Sequence, residues 1–300
     1  MDKFELEKLI IVFVDEYAVS RGLSAAWAKK IKAMCFTFVA WLRSTGTIPQ
    51  LANLTPGVCR GYLVYLRGKY HNWTIRHHYI ALKLFVDYLI DKGLLQTNPL
   101  KGIRAPTAAK KVPNIISDKE YADIIDSVQT MSAPHPFSRV RNRTFFRLWK
   151  VTGLRVGEML NLKMDDFRLN DKNKSIQIWN GKRSRYDYLP LAGGVLPDIE
   201  EYLSARGLNH SPHFFLSATK GKKWGYGGVR RLFGRLKELG LLTPNITPHN
   251  FRATFCCNLL NKGVNVFEVQ ALMRHTSLQS TLFYVKNNPA RLQEYVDKLL

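Results

Sequence analysis

The sequence predicts a mainly α-helical protein built as two globular units, the second carrying one small β-hairpin. Three observations predict this. The chain has 300 residues, 46% of them apolar, with 16 Phe, 13 Tyr and 6 Trp, enough for two real cores. Apolar residues recur at helical spacing through most of its length, and capping residues punctuate them. One stretch alone, residues 175–191, alternates with a period of two.

The first hundred residues read as four helices. Phe4 to Ser20 carries Leu6, Leu9, Ile10, Phe13, Val14 and Tyr17 on one stripe. Ser24 caps a second run that passes Trp41-Leu42 and stops before Gly46. Thr55-Pro56 is an N-cap with proline at the first helical position, opening a third helix over Gly57 to Leu66. A fourth spans His71 to Asp91 and ends before Gly93. Asn98-Pro99 breaks the pattern, and the small, basic, proline-punctuated stretch from Gly102 to Pro113 reads as a linker. The expected organisation is a helical unit at 1–104, a linker at 105–113 and a second unit at 114–300.

Ser117-Asp-Lys-Glu120 is a capping box ahead of an apolar helical run, so the second unit opens on a helix. Within this mostly helical unit, Ser175 to Trp179 and Tyr186 to Leu191 alternate as strands, with Asn180-Gly181 as the tight-turn pair between them. The tip, Lys182-Arg183-Ser184-Arg185, is basic. No internal repeat and no G-x-x-x-x-G-K-[ST] phosphate loop is present.

Charge narrows the function classes. There are 45 Lys and Arg against 23 Asp and Glu, a formal charge of +22. So large an excess repels itself unless a polyanion neutralises it, which points to nucleic acid or an anionic membrane. No apolar run approaches the roughly 20 residues needed to span a bilayer, and the acidic start Met1-Asp-Lys-Phe-Glu lacks a secretory pattern, so a cytoplasmic location is expected. From Tyr17 through Val86 there is no Asp or Glu but ten Lys or Arg. A basic face of that length reads as a surface for double-stranded DNA, with Lys29, Lys30, Lys32, Arg43, Arg76 and Lys83 as candidate contacts, joined by Arg183 and Arg185 of the hairpin tip. The four cysteines, Cys35, Cys59, Cys256 and Cys257, fit neither a zinc site nor a disulfide framework and read as buried apolar residues.

Cutting a phosphodiester needs a nucleophile, stabilisation of the transition-state charge and a proton for the leaving oxygen. Clustered carboxylates holding metal ions are one solution, but acidic residues here are scarce and scattered, which favours arginines as the electrostatic groups and no metal or other cofactor. In Thr152-Gly-Leu-Arg155-Val-Gly-Glu158, Arg155 opens a helix and Glu158 shares its face at spacing three, suited to orienting the guanidinium. In Thr247-Pro-His249-Asn-Phe-Arg252, an imidazole and a second guanidinium share the first turn of another helix, where anions are favoured. Taken singly, each motif reads as a surface cap or salt bridge, and Tyr284 as one of 13 tyrosines in a core.

Taken in order, the sequence resembles the tyrosine recombinase, or phage integrase, family. The likeness rests on Thr-Gly-Leu-Arg155 with Glu158, Gly-Lys182 followed eight residues later by Pro190-Leu191, His249-x-x-Arg252, His275, and Tyr284 nine residues on. It is strongest from about 145 to 290. The basic helical N-terminal unit is similar to that family's core-binding, SAM-like domain, and the second unit to its catalytic domain.

The resemblance implies that Arg155 and Arg252 grip the scissile phosphate, that His249 assists acid and base transfer, and that His275 donates a hydrogen bond to a phosphate oxygen. It implies that Lys182 protonates the departing 5′ oxygen and that Tyr284 is the nucleophile, forming a 3′-phosphotyrosine. It further implies a homo-tetramer on two DNA sites, with the two units on either side of the duplex. The size of the chain leans towards the simpler, Xer-like uses. Leu292, Tyr295, Val296, Leu299 and Leu300 form an apolar stripe after the nucleophile segment, and the family likeness would dock it on a neighbouring subunit. Where the family usually shows Leu-Gly-His, this chain has Leu272-Met273-Arg274-His275. That exchange alters the close backbone packing a glycine allows, or adds a phosphate contact. Type IB topoisomerase-like relaxation and a non-catalytic DNA-binding scaffold are the alternative readings.

Overall fold

The computed structural model describes residues 5–20, 22–107, 112–131, 135–180, 184–219, 221–286 and 297. The chain divides into two compact units, 1–111 and 112–300.

The first unit contains four α-helices: α1 (Leu6–Ser20), α2 (Ala25–Ser44), α3 (Pro56–Arg67) and α4 (Asn72–Asp91). Their starts are set locally. Ser24 Oγ accepts the Trp27 N–H at 3.3 Å, and Thr55 Oγ1 accepts the Val58 N–H at 3.3 Å with Pro56 in the first turn, each satisfying a backbone donor that the helix itself leaves open. The apolar stripes meet in one core, where Phe13, Phe38, Leu42, Tyr62, Leu66, Phe85 and Leu89 are buried. The Tyr62 hydroxyl finds His78 Nδ1 at 2.8 Å. A short 3-10 turn at Leu51–Asn53 was not predicted, because three residues carry no periodic signal.

In the second unit α5 (Asp118–Thr130) opens on the expected capping box: Ser117 Oγ accepts the Glu120 N–H at 3.2 Å and the Glu120 carboxylate accepts the Ser117 N–H at 2.8 Å. There follow α6 (Pro136–Thr152), α7 (Val156–Asn161), α8 (Leu196–Arg206), α9 (Tyr226–Glu238), α10 (Pro248–Asn261), α11 (Val266–Met273) and α12 (Leu278–Lys286). Between α7 and α8 lies an antiparallel three-stranded sheet in the order β1 (Phe167–Arg168), β2 (Ser175–Asn180) and β3 (Arg185–Pro190). The predicted hairpin is therefore present, with a third strand too short to be read from sequence; Phe167 of β1 stacks on Phe214 at 4.1 Å.

The register corrects the turn. Asn180 pairs with Arg185, so Asn180 belongs to the ladder rather than to a turn, and Gly181 lies outside the described residues. The Asn180 amide is held in place by donating to Asp187 Oδ2 at 2.8 Å.

The core of this unit is aromatic and centred on α6. Phe145, Phe146 and Trp149 are fully buried, and Trp149 lies nearly parallel to Phe251 of α10 with 4.9 Å between ring centroids. A separate small cluster, with Ala253, Cys256, Leu260, Val269, Met273 and Tyr284 buried, joins α10, α11 and α12. All four cysteines are buried free thiols, as the sequence suggested. Among the described residues no helix is long and apolar enough to cross a membrane.

Candidate active site

Arg155 is placed by the way α6 ends. The chain leaves that helix at Gly153, whose φ of +54° is left-handed and whose absent Cβ would stand 2.2 Å from Phe255 Cδ1, so both conformation and space require glycine. The next residue, Leu154, is fully buried, and its carbonyl accepts the Trp149 indole N–H at 2.6 Å. The exit turn is thus fixed to the aromatic core, and Arg155 caps α7 with its side chain half exposed. Glu158 accepts the Arg155 backbone N–H at 2.8 Å and its Nη1 at 2.7 Å. The carboxylate orients the guanidinium, as the spacing of three suggested.

Arg252 is fixed from α10. Thr247 and Asn250 cap that helix reciprocally, the Thr247 N–H donating to Asn250 Oδ1 at 2.8 Å, and the Asn250 amide donates to the Asn114 carbonyl at 2.9 Å. Arg252 is 2% exposed; its Nη1 donates to the Gly153 carbonyl at 2.7 Å and its Nη2 to the Met273 carbonyl. One buried guanidinium therefore ties together the backbone two residues before Arg155 and two residues before His275. Burial, then repulsion from Arg155, lowers its pKa to about 10 against the opposing pull of Glu158, and it stays charged at neutral pH.

His249, on the same first turn, is exposed; partial loss of hydration, then Arg252 and Arg155, lower its pKa. His275 follows α11. Its backbone N–H donates to the Gln270 carbonyl at 3.1 Å, the Gln270 amide donates back to the His275 carbonyl at 3.1 Å, and its Nδ1 meets Thr281 Oγ1 at 2.9 Å. Burial first, then Arg252, Arg155, Arg274 and His249, push its pKa down to about 4. The ring is neutral at pH 7.

Tyr284 of α12 is buried, and its ring lies 9° from parallel to His275 at 6.5 Å. Burial, then Cys256, raises its phenol to about 12, with Arg252 opposing, so the free enzyme holds the hydroxyl protonated. Beside His275 opens a cleft of about 500 Å³ lined by Tyr186, Tyr188, Phe267 and Arg274. A cavity of about 840 Å³ lies elsewhere, between α1 and α4; its carboxylates Asp15, Glu16, Asp87 and Asp91 repel a phosphate.

Arg274 ends α11. It adopts the left-handed conformation a glycine would supply, φ +52° and ψ +42°. Its side chain is 5% exposed and points inward, Nη2 donating to Glu158 Oε2 at 2.7 Å. The backbone conformation of a glycine is kept, and the guanidinium meets a carboxylate rather than solvent.

Lys182 and Arg183 lie outside the described residues, as does the tail stripe of Leu292, Tyr295, Val296, Leu299 and Leu300. Arg185 is exposed, 3.5 Å from Asp187. In the first unit Lys29, Lys30, Lys32 and Arg43 stand on α2, and Arg76 and Lys83 on α4. Arg43 is paired with Glu7 at 2.8 Å and Lys83 with Asp87 at 2.5 Å. Asp87 lies one residue beyond the acid-free stretch and Glu7 ten residues before it, so the linear charge count overstates the free charge of those two. Sequence reasoning missed Gly153, Trp149 and Thr281. Gly153 was quoted within the Arg155 motif, but a fully buried indole and a threonine six residues beyond a histidine carry no signal without the fold. Among the described residues no group of His, Cys, Asp and Glu is arranged to hold a metal.

The sequence model of the phage integrase family matches residues 114–291. The chain is 28% identical over 292 residues to tyrosine recombinase XerC of Roseiflexus castenholzii, spanning 95% of this chain and 89% of that protein. It is 27% identical to tyrosine recombinase XerD of Listeria innocua, over 96% of this chain and 97% of that one. The fold superposes on XerH site-specific recombinase bound to palindromic difH substrate in a post-cleavage complex, with a TM-score of 0.76 at 22% identity, covering 92% of this chain and 80% of that one. With more than half of its length matched, the chain belongs to the phage integrase family, the tyrosine recombinases, and is an enzyme of site-specific DNA strand cleavage and rejoining.

Proposed function

We propose that Tyr284 is the nucleophile of this recombinase and that Arg155, Arg252, His249, His275 and Lys182 serve it. The phenolic oxygen attacks the scissile phosphorus, the bond to the 5′ oxygen breaks, and Lys182 gives that oxygen its proton while His249 assists in taking the phenolic one. Arg155 and Arg252 hold the non-bridging oxygens, a task suited to planar guanidinium. In the tautomer in which Nδ1 accepts from Thr281 Oγ1, 2.9 Å away, the neutral His275 ring carries its proton on Nε2 and offers it to a phosphate oxygen. The 3′-phosphotyrosine conserves the energy of the broken bond, so a 5′ hydroxyl from another strand reseals the backbone without ATP. No cofactor enters the scheme.

One observation carries this reading. Arg252, fixed at both nitrogens, gathers the segments bearing Arg155 and His275 at the edge of the cluster that buries Tyr284. Double-stranded DNA is the partner, with residues 1–104 as core-binding domain and 114–300 as catalytic domain. A tetramer on two sites, acting in the cytoplasm, completes the proposal. That the named relatives are recombinases supports recombination over topoisomerase-like relaxation or a non-catalytic scaffold. The test is Tyr284→Phe on nicked DNA carrying a recovered target site: binding should persist and covalent attachment vanish. A protein–DNA adduct surviving in that variant would overturn the assignment.

A further inference from the structure

We infer that Arg274 is a positioning residue of the recombination reaction: by sharing the Glu158 carboxylate with Arg155, it lets the carboxylate orient Arg155 without cancelling the positive charge offered to the scissile phosphate. The inference rests on the roles proposed above for Arg155 and Tyr284.

Arg274 occupies its position against two physical penalties. Its φ of +52° is a conformation that side chains with a Cβ rarely adopt, and glycine alone would meet the backbone requirement at the end of α11. Its guanidinium is also taken almost wholly out of water, which is unfavourable unless the charge is paired. The pairing is with Glu158, whose two oxygens are shared in a definite pattern. Oε1 accepts Arg155 Nη1, while Oε2 accepts both the Arg155 backbone N–H and Arg274 Nη2. A second bond, from Arg274 Nη1 to the Leu272 carbonyl at 3.2 Å, fixes the guanidinium to the end of its own helix.

Two consequences follow for a phosphate at the site. First, the Glu158 carboxylate is held between two guanidinium groups and engages Arg155 through Nη1. Second, the charge balance changes. Arg155, Arg252 and Arg274 against Glu158 leave two net positive charges; without Arg274 they leave one. The groups facing His275 are Arg252, Arg155, Arg274 and His249, with Tyr284 stacked beside it. Arg274 is thus one of the charges that keep that ring neutral.

The test uses the full chain and a nicked duplex bearing a target site recovered by sequencing DNA trapped on the enzyme. Single-turnover formation of the covalent complex is followed against pH, with binding and thermal unfolding measured in parallel. Arg274→Gly relieves the backbone conformation and should unfold no earlier than the parent. It should bind DNA within about threefold yet form the adduct at least about tenfold more slowly, a smaller loss than removing a direct phosphate contact. The acid limb of its pH profile should move to higher pH. Glu158→Gln combined with Arg274→Gly should be no slower than the slower single variant, because both act through one carboxylate. Should Arg274→Gly fail to fold, Arg274→Lys decides: a reduced rate supports the inference and an unchanged rate overturns it. A folded Arg274→Gly with parental rate and pH profile overturns it too. If the parent itself forms no adduct, the failure belongs to the proposed function instead.

Discussion

Gly153→Ala adds one methyl group at the point where the aromatic core delivers the chain to Arg155. Two independent contributions set its magnitude. An alanine at φ +54° costs about 1–2 kcal/mol in the left-handed region. The new Cβ would stand 2.2 Å from Cδ1, 2.6 Å from Cγ and 3.0 Å from Cβ of Phe255, and overpacking of that kind costs about 1–3 kcal/mol. The sum, about 2–5 kcal/mol, is a large part of a typical domain stability of about 5–15 kcal/mol. Relaxing the clash must move the Gly153 carbonyl, which accepts from Arg252 Nη1, so cleavage should fall even where the protein is still folded. Hydrogen exchange at amides of α6, α7 and α10 reads this unit separately, and covalent-complex formation at low temperature reads the site. Phe255→Ala separates the two contributions: combined with Gly153→Ala it should cost about 1–3 kcal/mol less than the sum of the single changes, since the clash is gone and only the backbone term remains. A loss below about 0.5 kcal/mol for Gly153→Ala, or strict additivity with Phe255→Ala, would refute the reasoning.

Arg155→Lys should stay folded but form the covalent complex at least about a hundredfold more slowly, because an ammonium cannot bond Glu158 and grip phosphate with a planar fork; near-parental cleavage would return Arg155 to a structural role. His275 has a folded pKa of about 4 against about 6.5 unfolded. The fold favours the neutral ring, so this stabilisation is fully present above about pH 6.5 and is lost as pH falls towards 4, by up to about 3 kcal/mol. His275→Gln should flatten the acid side of a stability profile over that window, and an unchanged slope would count against the buried, arginine-flanked ring. DNA affinity should fall about 10³–10⁵-fold between about 50 and 200 mM salt if ~6–10 phosphates are neutralised. Lys29→Gln or Lys30→Gln should each lower the salt slope by about one, whereas Lys83→Gln, with Asp87 already at 2.5 Å, should lower it less; equal effects would mean that the ion pair opens on DNA.

Much of this protein was legible in the linear chain because local physics decides it. The four helices of the first unit follow from apolar spacing and from Ser24 and Thr55 as caps, and the Ser117–Glu120 capping box forms as written. Arg155 and Glu158 pair because three residues bring them to one face of a helix start. Candidate site residues far apart in sequence were found by a family pattern of order and spacing rather than by local physics.

What the sequence could not decide depends on contacts between distant segments. Asn180 joins the ladder rather than a turn, because cross-strand pairing and the Asn180–Asp187 bond outweigh its local turn preference. Arg43 and Lys83 lose free charge to Glu7 and Asp87, which are remote or just beyond a boundary drawn by counting. Arg252 reads as a phosphate ligand in sequence; only the fold makes it also the clamp between Gly153 and Met273, 99 and 21 residues away. Arg274 looked like a misplaced glycine until Glu158, 116 residues earlier, was brought within 2.7 Å of it. The sequence by itself determined the candidate side chains and the order in which helices present them; the tertiary structure decided which charges are left free, because neutralisation depends on distance in space and spacing along the chain does not record it.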